Sequence, residues 1–174
     1  MAIDLRSLSS IKLLILDVDG VLTDSCIWLD SSGEWRRKFS VRDGIGIRRL
    51  IESGYQLAII TASKAEDIRM RVKNLGIQHF YEGSINKEPA FKDLQTKSGL
   101  SPKQMAYIGD DIFDIPLLEA VGFSATVPEA LEEVKRIVQY TTRHPGGNGA
   151  VREVCDLIYR HGPLATTQTE AGKA

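Results

Sequence analysis

The chain has 174 residues, 43% apolar and 26% charged, enough for one domain that buries about 70% of its unfolded surface. Lys+Arg 22 against Asp+Glu 23 leaves a net charge of -1, which argues against nucleic acid or an anionic membrane as a partner. Two cysteines, Cys26 and Cys155, stand in no metal-ligand spacing and read as reduced thiols. Met1-Ala2-Ile3-Asp4-Leu5 lacks the basic region and long apolar core of a signal peptide, and no apolar stretch spans a bilayer. The expected location is the cytoplasm.

In chain order, the first element is an apolar run, Lys12 to Asp17, that reads as a strand buried on both faces. Asp17-Val18-Asp19-Gly20 follows at its carboxyl end, the rim where open α/β sheets bind ligands. Two carboxylates that close repel unless a proton or cation lies between them, and Mg2+ takes oxygen ligands together with phosphate. Next come Cys26–Asp30, a Ser31-Ser32-Gly33 turn and Glu34–Phe39, a β-hairpin that carries both tryptophans. Trp28 falls on one hairpin face, with Ile27 and Leu29 on the other. Trp35, Arg37 and Phe39 share a face by the period of two. Apolar groups on both faces of a ribbon predict a homo-oligomer, a tetramer in first expectation.

A helix from Asp43 leads to strands at Gln56–Thr61, His79–Tyr81, Gln104–Gly109, Phe123–Thr126 and Val138–Tyr140. Ile68, Val72 and Leu75 form a helical stripe stopped by Gly76. Ala90, Phe91 and Leu94 form another behind Pro89, and Leu117, Leu118 and Val121 a third. Val151, Val154, Leu157 and Ile158 form the last. The alternation predicts an α/β fold, a Rossmann-like doubly wound parallel sheet. One domain is expected over residues 1–162, with a hairpin flap at about 20–39 and a mobile polar tail at 163–174.

In such a sheet Asp17 and Asp19, Thr61, Lys87 and Gly109-Asp110-Asp111-Ile112-Phe113-Asp114 all reach one edge. Phosphomonoester cleavage needs a nucleophile, a proton donor, a cation and donors for the phosphoryl oxygens. Asp17 suits the first task and Asp19 the second. Asp110 supplies a second carboxylate for Mg2+, while Thr61 and Lys87 suit the phosphoryl oxygens. Singly, each has a plainer reading: Thr61 as a helix cap, Lys87 as a solvated charge, Asp110, Asp111 and Asp114 as first-turn acids.

Together these motifs resemble the haloacid dehalogenase superfamily of aspartate-nucleophile phosphatases. The resemblance implies that Asp17 attacks phosphorus and that Asp19 protonates the leaving group and then activates water. It also implies that Mg2+ is held by Asp17, Asp110 and the Asp19 carbonyl, with Asp111 and Asp114 behind them. The intervals from Asp19 to Thr61 and from Thr61 to Lys87 leave no room for a cap domain. The finer pattern resembles a capless family, the 3-deoxy-D-manno-octulosonate 8-phosphate (KDO 8-phosphate) phosphatases of lipopolysaccharide precursor synthesis. Its marks here are Phe39-Ser40-Val41-Arg42-Asp43-Gly44, Leu75-Gly76-Ile77 and Gly146-Gly147-Asn148-Gly149-Ala150-Val151-Arg152-Glu153.

That family's substrate contacts carry over to Asp19, Ser40, Val41, Arg42, Asp43, Gly44, Arg48, Ser63, Arg71 and Lys87, and its tetramers pack hairpins so that each subunit helps close a neighbour's site. The chain departs from the family at Thr61-Ala62-Ser63-Lys64, where relatives often place an arginine at Ser63. Rival readings are a phosphatase for 2-keto-3-deoxynonulosonate 9-phosphate, a phospho-accepting receiver domain and an inactive scaffold.

Overall fold

The structure, a computed structural model, describes residues 5–164. A short 3-10 helix at Leu5–Ser10 leads into β1 (Leu13–Leu16), whose four residues are all buried. β2 (Trp28–Leu29) and β3 (Trp35–Arg36) form a separate antiparallel hairpin. Then come α1 (Val41–Glu52), β4 (Gln56–Thr61), α2 (Glu66–Leu75) and β5 (His79–Glu82). α3 (Glu88–Ser98), β6 (Met105–Ile108), α4 (Ile115–Ala120) and β7 (Phe123–Thr126) follow. The last are α5 (Glu132–Ile137), β8 (Tyr140–Thr141) and α6 (Ala150–His161).

Six strands make one sheet in the order β5-β4-β1-β6-β7-β8, every pair parallel. This is the doubly wound order, and it puts a crevice at the carboxyl ends of β1 and β6, where the chain turns in opposite directions. Alternation along β1 serves both faces. Leu14 and Leu16 join Leu57 and Ile59 against Ile47 and Leu50 of α1, Ile68 and Val72 of α2, and Val151, Val154 and Ile158 of α6. Leu13 and Ile15 join Ala58, Ile60 and Met105 against Phe91 and Leu94 of α3, Leu117 and Leu118 of α4, and Val134 of α5. Each such fully buried Leu or Ile contributes about 1.5–3 kcal/mol.

No helix among the described residues is long and apolar enough to cross a membrane. Between Asp19 and Thr61 the chain makes the hairpin, α1 and β4, and between Thr61 and Lys87 it makes α2 and β5, so no cap intervenes.

Four expectations need revision. The hairpin strands are two residues each, because the Arg37 N–H leaves the ladder and donates to Asp67 Oδ2 at 2.8 Å. The last strand is shifted to Tyr140–Thr141, and the 3-10 turn at Leu5–Ser10 and α5 carried no clear period. α1 begins at Val41 rather than Asp43, since the Ser40 hydroxyl accepts the Asp43 N–H at 3.3 Å as a helix cap. Within the span expected as a tail, Leu164 packs on the core and its N–H donates to the Tyr55 hydroxyl at 3.2 Å. Residues 165–174, where the rest of the expected tail falls, lie outside the described residues.

Two glycines seat the loop that follows β1. Gly20 adopts φ +90, and a Cβ there would sit 2.0 Å from Asp110 Oδ2. A Cβ on Gly146 would meet the Gly20 carbonyl oxygen at 1.8 Å, so the Gly146-Gly147 turn lies directly on that loop.

Candidate active site

β1 and β6 deliver the first two carboxylates. The Asp17 N–H extends the ladder to the Ile108 carbonyl at 3.0 Å, which fixes the residue at the rim. Across the crevice, Asp110 follows Gly109 directly after β6. Carboxylate oxygens of Asp17, Asp110 and Asp114 lie within 4.8 Å of one another. They border a cavity of about 310 Å³, also lined by Asp19, Thr61, Lys87, Asp111 and Phe113.

The three acids are not equivalent. Asp114 is fully buried and spends its oxygens on protein donors. Its Oδ2 accepts the Asp110 and Asp111 N–H groups at 2.9 and 3.1 Å, and its Oδ1 accepts Lys87 Nζ at 2.6 Å and the Tyr107 hydroxyl. Asp111 caps the turn it starts, its carboxylate accepting the Ile112 N–H at 2.6 Å. Asp110 differs: its Oδ1 is buried and has no partner. An orphaned carboxylate oxygen is costly, and here it faces a second acid.

Burial, with repulsion from Asp17 and Asp114, pushes Asp110 up to about 7. Burial also pushes Asp17 up to about 7, against the opposing pull of Lys87. An all-oxygen donor set with one orphan acceptor fits Mg2+, which binds through one or two carboxylates plus phosphate and water. Asp17 and Asp110 would hold the ion, while Asp114 orients the loop beneath them.

These shifts carry a sign. Metal-free folded protein keeps protons on Asp17 and Asp110 up to about pH 7, whereas the unfolded chain releases them near 3.8. Their contribution to stability is complete below 3.8 and lost as pH rises through 7. Metal-free protein is expected to lose Tm over that window. Added Mg2+ should raise Tm more at pH 8 than at pH 5, where protons compete for the same oxygens. Equal Mg2+ shifts at both pH values would contradict the assignment of these two ligands.

Lys87 is 3% exposed. Its Nζ meets Asp17 Oδ1 at 3.0 Å, Asp114 Oδ1 at 2.6 Å and the Tyr107 hydroxyl at 3.1 Å, which engages all three donors. Burial opposes its charge, but Asp17 and Asp114 outweigh burial and raise its pKa. Thr61 ends β4 and is 2% exposed. Its Oγ1 accepts the Ser63 N–H at 3.2 Å, a local turn bond, because α2 starts only at Glu66.

Asp19 lies at the cavity edge in a cluster that sequence reasoning missed. Arg37 Nε meets Asp19 Oδ1 at 2.6 Å, Arg37 Nη2 meets Oδ2 at 3.3 Å, and the Ser63 hydroxyl donates to Oδ2 at 2.6 Å. Arg37 Nη2 also lies 3.2 Å from Ser63 Oγ, so a guanidinium reaches Ser63 from the hairpin. In the sequence Arg37 sits in the run Arg36-Arg37-Lys38, which reads as a solvated charge patch. Its parity with Trp35 was the one available signal. Tyr107 was missed too, as one apolar-looking residue in a buried strand.

Ser40, Val41, Arg42, Gly44, Arg48 and Arg71 do not line the Asp17 cavity, and Arg42 faces a groove beside α6 instead. Arg71 Nη2 donates to the Ser40 carbonyl at 2.7 Å, over Gly44, where a Cβ would meet that nitrogen at 2.5 Å. The Arg71 Nε is buried without a partner. Arg48 Nη2 donates to the Asn74 carbonyl at 2.8 Å, and Val41 is 73% exposed.

Asp43 is held apart from this group. It is fully buried, and its oxygens accept the Arg152 and Gly149 N–H groups at 2.8 and 3.3 Å. Its carboxylate caps the positive end of α6.

Residues 77–154 match a family of haloacid dehalogenase-like hydrolases. The chain is 48% identical over 149 residues to 3-deoxy-D-manno-octulosonate 8-phosphate phosphatase of Escherichia coli K12, covering 86% of this chain and 79% of that protein. The chain belongs to this phosphatase family. The Yersinia pestis family member superposes with TM-score 0.88 at 43% identity, over 95% of this chain and 88% of that one. The Moraxella catarrhalis member, solved with magnesium ion, phosphate ion and KDO, also gives 0.88 at 39% identity, over 95% and 96% of the two chains.

Proposed function

We propose that the protein is a Mg2+-dependent phosphatase that releases phosphate from KDO 8-phosphate through an aspartyl-phosphate intermediate. The observation that carries this reading is the meeting of Asp17 with Asp110, whose buried oxygen lacks a partner, beside Lys87 and Thr61 at the switch point. Asp17 Oδ attacks phosphorus as the ester P–O bond breaks, and Asp19 gives its proton to the departing sugar oxygen. Water then attacks the aspartyl phosphate and gives a proton back to Asp19. Thr61 donates its hydroxyl to a phosphoryl oxygen. Lys87 acts at short range as a fixed cation while it orients Asp17. Mg2+, held by Asp17, Asp110 and the Asp19 carbonyl, supplies positive charge to the phosphoryl group.

Arg48 and Arg71, near enough for their charges to interact, suit the carboxylate of a sugar acid, since guanidinium forks match carboxylates. Arg71→Ala should raise KM for KDO 8-phosphate at least tenfold and leave p-nitrophenyl phosphate nearly unchanged. Equal losses on both would assign Arg71 to α1 packing instead.

Ile27, Trp28, Leu29 and Trp35 are 49, 48, 56 and 56% exposed, and Leu29 lies opposite Trp35 on one hairpin face with Trp28 on the other. Such a ribbon supports a homotetramer in which a neighbour's hairpin covers the bound sugar. Sedimentation of a monomer at micromolar concentration would sink that assembly. Two free cysteines and the absence of a membrane-crossing helix among the described residues accord with a cytoplasmic enzyme. The direct test is phosphate release from a panel of sugar phosphates with Mg2+ or EDTA. KDO 8-phosphate should lead with Mg2+ and fall silent with EDTA. A preference for 2-keto-3-deoxynonulosonate 9-phosphate would replace the substrate, and EDTA-resistant turnover would remove the metal.

A further inference from the structure

Arg37 turns from the hairpin onto Asp19 at the rim of the cavity. Its side chain is 8% exposed, whereas the tryptophans before it on the hairpin are about half exposed. A buried guanidinium is costly unless its donors are met, and here two carboxylates meet them. Asp67, at the start of α2, accepts the Arg37 backbone N–H at 2.8 Å and its Nη1 at 3.3 Å. Nε and Nη2 form the two-pronged contact with Asp19. The order α2, Asp67, Arg37, Asp19 is therefore a rigid bracket ending on the proposed acid.

The bracket leaves the two Asp19 oxygens unequal. Oδ2 takes both the Ser63 hydroxyl and Arg37 Nη2, which fills its acceptor sites. Oδ1 takes only Arg37 Nε and keeps one site. We propose that Arg37 is a positioning residue that locks Asp19 so that Oδ1 faces the cavity and exchanges the proton with the leaving oxygen. The proposal rests on the acid–base role of Asp19 given above. In the first step an Asp17 oxygen bonds to phosphorus as the ester P–O bond breaks, and the sugar oxygen takes the proton as the Asp19 Oδ1–H bond breaks. In the second, water loses a proton to the same Oδ1 as its oxygen bonds to phosphorus and the P–O bond to Asp17 breaks, which returns the Asp17 carboxylate and releases phosphate. Acid catalysis fails when the acid is misplaced by about an ångström, since the contribution depends on hydrogen-bond reach to the reacting atom.

The test compares leaving groups on the same preparation, so that any unfolded fraction cancels. A sugar alkoxide needs a proton as it departs and a nitrophenolate does not. Single-turnover phosphorylation of Arg37→Met at saturating substrate should slow with KDO 8-phosphate at least ~10-fold more than with p-nitrophenyl phosphate, part of the roughly 10²–10⁴-fold that a well-placed general acid contributes. Arg37→Lys, a point charge that cannot grip Asp19 at two atoms, should recover only part of the difference. A structural role alone would slow both substrates equally. Equal slowing, no slowing or a gain in rate would each overturn the proposal. Asp19→Asn separates the two readings. If it shows the leaving-group bias and Arg37→Met does not, Arg37 is not the positioning group. If Asp19→Asn lacks the bias, the acid role of Asp19 itself falls.

Discussion

Asp17→Asn should lose turnover by roughly 10⁴-fold or more, because an amide cannot form the acyl phosphate and no neighbouring group replaces the covalent step. The geometry favours a clean result. The amide is the same size, and it occupies a site where burial already pushes the carboxylate up to about 7, so the neutral side chain sits there with less desolvation cost. Lys87 keeps Asp114 at 2.6 Å as its counter-charge. A cooperative melt and unchanged far-UV circular dichroism are therefore expected alongside the lost activity. Loss of only a few-fold in kcat would reject Asp17 as the nucleophile.

Lys87→Met should be the most damaging single change to stability. The ammonium is 3% exposed and touches Asp17, Asp114 and Tyr107, so its removal leaves a buried carboxylate cluster without its cation. Breaking a buried pair from one side costs about 3–5 kcal/mol. The loss should be largest at alkaline pH, where Asp17 and Asp110 have shed their protons, and should shrink as pH falls below about 7. Mg2+ should restore part of it by supplying charge at the same oxygens. Urea melts at pH 8 and pH 5, with and without Mg2+, would check all three statements. A small, pH-independent loss would mean that the cluster is solvated and Lys87 is not its counter-ion.

The sheet was legible because its central strands are buried on both faces and show as bare apolar runs such as Leu13–Leu16. Once those strands are parallel, their carboxyl ends share an edge, and Asp17, Thr61, Lys87 and Asp110 converge without further information. What the sequence did not show were contacts between residues far apart along the chain. Asp43 is a polar residue in a first turn, and only the arrival of α6 makes it an internal cap. Arg37 belongs to a run of three cations, and only Asp67 and Asp19 distinguish it from Arg36, which pairs with Asp30 on the exposed hairpin. Asp110 and Asp114 are the same residue type, four positions apart in one loop. Their opposite fates, an orphan oxygen and a saturated carboxylate, follow from which loop N–H groups point at them.

The central claim is that a phosphoryl group passes through Asp17. Rapid acid quench of the enzyme during turnover of KDO 8-phosphate, followed by peptide mapping by mass spectrometry, tests it directly. The account predicts one phosphoryl group on the peptide containing Asp17, formed only when Mg2+ is present and decaying no slower than turnover. Substrate consumed with no phosphorylated enzyme at any quench time, or a label on a peptide without Asp17, would contradict it.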